Sequence, residues 1–198
     1  MKRGFTLIEL LIVLSIFIVM SALLLANYRK FGNSIDATNL AYDIALSVRE
    51  AQTYGLATQN VAGDFKSGLD NIPHGIHFDL NTPTSYIIFA DVNVNSKYDT
   101  NEKTKEYTLN NGYKITDICK VTASVETCSP DIVATSIDIL FVRPNPDAKS
   151  FFYPNGSQTA VDGSPFPDIK VKITSPDGSK KKAVRVLKSG QITVEDTQ

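Results

Sequence analysis

The stretch from Met1 to Ala26, MKRGFTLIELLIVLSIFIVMSALLLA, constrains this chain more than any other. Two cations, Lys2 and Arg3, and then Gly4 precede a run from Phe5 to Ala26 that is apolar except at Thr6, Glu9, Ser15 and Ser21. As a helix the run is roughly 33 Å long, enough to cross a bilayer core of about 30 Å. An ordinary cleaved secretory signal fits poorly, because its apolar segment is only about 7–15 residues long and its cleavage site follows that segment. Here Leu23-Leu24-Leu25-Ala26 continues directly into helical sequence. Lys2 and Arg3 at one end face Arg29 and Lys30 at the other, so charge alone leaves the orientation open. Glu9 is the anomaly. A carboxylate inside a spanning segment is costly and marks function.

Residues 2–10, K-R-G-F-T-L-I-E-L, resemble the cleavage and methylation signature of type IV prepilins and of the pseudopilins of type II secretion. In that family a membrane peptidase cuts after the glycine, here Gly4, and methylates the new first residue, here Phe5. The family's hallmark glutamate falls on Glu9. The resemblance implies a leader at 1–4 and a transmembrane and assembly helix at 5–26. It also implies a single pass through a bacterial inner membrane, with the bulk of the chain periplasmic, and a place in a pilus or pseudopilus. The implied partners are other pilins or pseudopilins and the prepilin peptidase. Elementary electrostatics agrees: cleavage frees an amine at Phe5 close to hydrocarbon, and pairing with a neighbour's Glu9 relieves the desolvation of both charges. The plainer alternative is a signal anchor whose Glu9 snorkels to the interface.

From Asn27 to about Thr58 there is no proline. Tyr28, Phe31, Ile35, Tyr42, Leu46 and Val48/Arg49 recur at three- to four-residue spacing, with Leu40, Ala41, Ile44, Ala45 and Ala51 widening the stripe. This predicts one long helix whose second half, 27–58, lays an apolar face on a sheet, with Gly32 as a soft spot and Gly55 near the end. N-L-A-Y-D-I-A-L-S-V-R-E-A-Q at Asn39–Gln52 resembles the "L…AR-x-E-A" helix of GspH/FimT-like minor pseudopilins through Leu40, Arg49, Glu50 and Ala51, although Val48 replaces the usual small residue. Read without the resemblance, it is an amphipathic helix with a surface ion pair.

Beyond Thr58 the pattern changes to short alternating segments. Expected strands are Gln59–Ala62, Gly75–Leu80, Ser85–Ala90, Lys105–Leu109, Tyr113–Ile118, Ser136–Val142, Ile169–Thr174, Lys182–Leu187 and Gln191–Val194. Turns are marked at Asn110-Asn111-Gly112, Pro154-Asn155-Gly156, Ser175-Pro176-Asp177-Gly178 and Ser189-Gly190. The proline-rich stretch between Arg143 and Asp168 reads as loop with a short hairpin. The expected class is therefore α+β: a long N-terminal helix packed on a β-rich head of antiparallel sheets, 59–198, as one domain. Cleavage after Gly4 would leave 18 basic residues against 21 acidic, a net −3, which does not suggest a general binder of nucleic acid or anionic membranes.

Asp91, Asn93, Asn95, Lys97 (through its carbonyl), Asp99 and Glu102 follow the ligand order of a twelve-residue calcium loop. Ser96 stands where the sharp turn wants glycine. GspH/FimT-like proteins often carry a similar loop after this strand, so the alternative is a fold element rich in Asx turns. In an exported domain Cys119 and Cys128 read as one disulfide; zinc is the alternative, but no histidine is near. His74 and His77 point to opposite faces of a strand and read as surface or satisfied side chains. Lys180, Lys181, Lys182, Arg185 and Lys188 form the one basic cluster, which offers DNA contact or a solvated hairpin; no aromatics interleave to stack bases. No nucleophile elbow or phosphate loop is present, and no enzyme is expected.

Overall fold

Thr6 starts the first helix: its Oγ1 accepts the Glu9 N–H at 3.3 Å, so one of the orphan donors of the first turn is satisfied. The computed structural model describes residues 4, 6–57, 72–123, 125–157, 159–161, 165 and 168–197, with backbone alone for 26–33. Helix α1 spans Leu7–Leu56, and the chain forms two compact units, Met1–Asp36 and Ala37–Gln198. In the first unit Leu7–Leu25 is long and apolar enough to cross a membrane, and none of it is buried. So much bare apolar surface calls for a lipid or protein partner.

In the second unit the buried stripe of α1 is Ala37, Ala41, Ile44, Val48 and Ala51. Tyr42 and Leu46, expected on that stripe, are 56 % and 66 % exposed. The phase is set by small residues, because alanines let the helix backbone come close to a sheet where tyrosine and leucine would hold it off. Gly55 shows how close: a Cβ there would lie 2.4 Å from the Phe141 carbonyl oxygen.

Ten strands follow among the described residues. Strands β1 (His74–Asp79), β2 (Ser85–Ala90), β3 (Lys103–Thr108), β6 (Ser136–Phe141) and β7 (Ala148–Tyr153) make one sheet, ordered β3-β2-β1-β6-β7. Strands β4 (Lys114–Thr122), β5 (Val125–Cys128), β8 (Asp168–Thr174), β9 (Lys181–Leu187) and β10 (Ile192–Asp196) make the other, ordered β10-β9-β8-β4-β5. Every pairing is antiparallel. The α1 stripe shares one core with Ile76, Phe78, Ile88, Ile137 and Ile139 of the first sheet and Ile118, Val171, Ile173, Val184 and Val186 of the second.

This is the expected α+β head, with two corrections. The stretch after Arg143, expected as loop with a short hairpin, contains β7, a full strand beside β6, and β5 is an additional short strand. The strand expected at Gln59–Ala62 lies outside the described residues.

Candidate functional site

Of the expected N-terminal site residues, Gly4 and Glu9 are described. Gly4 is exposed, with nothing within 4 Å of where a side chain would stand. Glu9 is exposed in the first turn of α1. Lys2, Arg3 and Phe5 lie outside the described residues.

The 91–102 loop gathers most of the residues expected around a cation, and hydrogen bonds within the loop hold them. Asp91 is fully buried; its Oδ1 accepts from the Asn95 N–H at 3.0 Å and its Oδ2 from the Ser96 N–H at 2.9 Å. Glu102 is 1 % exposed; its Oε1 accepts from the Val92 N–H at 2.9 Å and its Oε2 from the Asp99 N–H at 3.1 Å. Asp99 accepts from the side-chain amides of both Asn93 and Asn95. Ser96 takes φ +63°, so it makes the sharp turn that glycine was expected to supply. Burial pushes the Asp91 and Glu102 carboxyls above the usual range, and backbone N–H bonds offset part of that rise. The Lys97 ammonium donates outward to the Ser157 carbonyl at 2.7 Å.

The anchor of this loop is Asp138, which the sequence reading did not single out. It is fully buried on β6, directly across from His77 on β1. Its Oδ1 lies 2.6 Å from His77 Nδ1, and its Oδ2 accepts from the Tyr98 N–H at 2.9 Å. The Tyr98 ring packs on His77 at 4.7 Å, and the Tyr153 hydroxyl donates to the Ser96 carbonyl at 2.7 Å. His77 is thus satisfied, as expected, but by an acid 61 residues away. His74 is buried beside the Ile72 carbonyl, and burial draws its pKa down.

Glu50 fastens α1 to the edge of the first sheet. It accepts hydrogen bonds from Tyr107 at 2.5 Å, from Tyr54 at 2.7 Å and from Lys105 at 3.2 Å, while Arg49 turns to Gln52. Burial raises the Glu50 carboxyl, but these donors outweigh it and hold the pKa below the ordinary 4.5. A depressed carboxylate contributes stability that is present above its unfolded value and lost as pH falls through the folded one. Glu50→Ala is therefore expected to cost about 2 kcal/mol at neutral pH. Denaturant unfolding should show the gap to wild type narrowing below about pH 4.5; a gap unchanged by pH would mean that the charge is immaterial.

Cys119 and Cys128, directly paired across β4 and β5, are joined in a disulfide. Together with Glu126 they form a metal-like group, but both sulfurs are committed to each other and no thiolate is left for zinc. In the C-terminal cluster Lys182 pairs with Asp196, and Arg185 with Asp168 at 2.9 Å and Glu195 at 3.4 Å. Lys182 and Arg185 are thus balanced across the sheet.

No curated protein and no solved structure matches the chain. The family model described as the prokaryotic N-terminal methylation motif matches residues 1–25, and with the exposed apolar helix it supports a type IV pilin-like protein that assembles with other pilins.

Proposed function

We propose that this chain is a structural minor pilin or pseudopilin of the GspH/FimT-like group. It is processed after Gly4, methylated at Phe5 and polymerised through its N-terminal helix, with the head on the periplasmic side of the inner membrane. The observation that carries this reading is Glu9, the one charged residue in the bare apolar segment Leu7–Leu25, within the span matched by the methylation motif. A lone carboxylate is expensive in hydrocarbon, and the new amine of a neighbouring subunit is the group that cancels the expense. The Asn39–Gln52 resemblance supports the subgroup, and the Glu50 contacts give that stretch a role in seating the helix against the head.

Glu9→Ala is expected to be processed normally, with a mass that begins at methylated Phe5, and to be lost from sheared filaments by at least tenfold. Normal incorporation of Glu9→Ala, or a mature chain that keeps residues 1–4, would sink the proposal.

A further inference from the structure

The two sulfurs of the disulfide differ in access. Cys119 is fully buried on β4, whereas Cys128 on the edge strand β5 is half-buried. Glu126, also on β5, stands over them. Its Oε1 is 3.3 Å from Cys128 Sγ, and a carboxylate oxygen and both sulfurs lie within 4.8 Å of one another. A disulfide sulfur has no proton to donate, so this is a contact and not a hydrogen bond. Two lysines of β8 hold the carboxylate in place, Lys170 at 3.1 Å and Lys172 closer still. Lys170 is shared with Glu195 at 2.9 Å. The charges above the disulfide are therefore balanced only while Glu126 is present.

Thiol–disulfide exchange begins when a thiolate attacks one sulfur and expels the other. Access makes Cys128 Sγ the electrophile and Cys119 Sγ the leaving group. The incoming thiolate must bring its negative charge up to the Glu126 carboxylate. We propose that Glu126 is an electrostatic guard that slows reduction of the Cys119–Cys128 disulfide by anionic thiols. In the guarded step a bond forms between the reagent sulfur and Cys128 Sγ while the Cys119–Cys128 bond breaks, and Cys119 leaves as a thiolate. A second reagent thiolate then attacks the mixed disulfide, freeing Cys128 as a thiolate and forming the reagent's own disulfide. Two electrons pass from two reagent thiols to the protein, and both protein thiolates take protons from water.

The test compares two reductants on the full chain in detergent micelles, with free thiols trapped by alkylation and counted by mass spectrometry. In its thiolate form glutathione is net negative, whereas the ammonium of cysteamine cancels its own thiolate. Glu126→Gln is expected to speed reduction by glutathione about fourfold, the factor that a unit charge at 4.8 Å exerts at the dielectric of water. The change with cysteamine should be smaller, and 1 M salt should close the gap because the screening length there is about 3 Å. Lys172→Gln should shift the glutathione rate the opposite way. Equal acceleration by both reductants would mean that the substitution merely loosens β5, and unchanged glutathione rates in both variants would mean that charge plays no part; either result overturns the guard.

Discussion

Gly190→Ala is expected to destabilise the head by about 3–5 kcal/mol, among the largest effects of any single substitution in this chain. Gly190 turns the chain between β9 and β10 at φ +78°, where an L side chain is strained. Space is the greater obstacle. A Cβ at Gly190 would stand 2.1 Å from the Pro146 carbonyl oxygen and 2.4 Å from Gln52 Nε2. Both atoms belong to one joint: Gln52, 3 % exposed on α1, donates from Nε2 to the Pro146 carbonyl at 3.0 Å and to the Gly190 carbonyl at 3.1 Å. The amide thus ties the helix to the segment before β7 and to the last hairpin. Gln52→Ala should cost about 2 kcal/mol by leaving the buried Gly190 carbonyl, and the less buried Pro146 carbonyl, without this donor. In the Gln52→Ala background Gly190→Ala should cost less than alone, though still a substantial amount because the Pro146 carbonyl remains. Urea unfolding of the four chains reads the cycle. Additive losses would show that the three groups do not act as one joint.

The joint marks a boundary of what the sequence discloses. The β9–β10 turn at Ser189-Gly190 is legible because glycine after a polar residue between alternating segments is local chemistry. That the same glycine touches a glutamine on a distant helix is a property of the packing. Helix phase shows the same division. Three- to four-residue spacing puts Tyr42 and Leu46 on the stripe along with Ala41 and Ala51. The alanines, joined by Ala37, make the contact and Tyr42 and Leu46 do not, because closeness to the sheet matters more than bulk. Strands with clean alternation, such as Asp168–Thr174, were legible; β7 was obscured by the prolines before and after it, and β5 by its shortness and by the turn beside it. The ends of the 91–102 loop were legible as spacing. Its anchor was not, although an aspartate inside S-I-D-I-L-F, an otherwise apolar strand, was the available signal.

Asp138→Ala is expected to cost about 3 kcal/mol and to lower the melting temperature by roughly 10 °C, since a head of this size loses a few degrees per kcal/mol. His77 on β1 and the Tyr98 N–H in the loop both engage this carboxylate, so its removal strands two half-buried donors at once. Asp138→Asn keeps the volume and one good acceptor and should cost about half as much. The loss should be local before it is global. Amide exchange should quicken first from Val92 to Asp99, where the loop leans on Asp138, and later in β4, β8 and β9, which belong to the other sheet. Uniform loss of protection across both sheets would mean that Asp138 supports the core and not the loop. The same melts with about millimolar calcium assign the loop's oxygens. A melting temperature that ignores calcium, in wild type and Asp138→Ala alike, leaves the loop to its own backbone donors. A rise in wild type that Asp91→Ala with Glu102→Ala abolishes would assign those carboxylates to a cation, with Asp138 as the group that holds them in place.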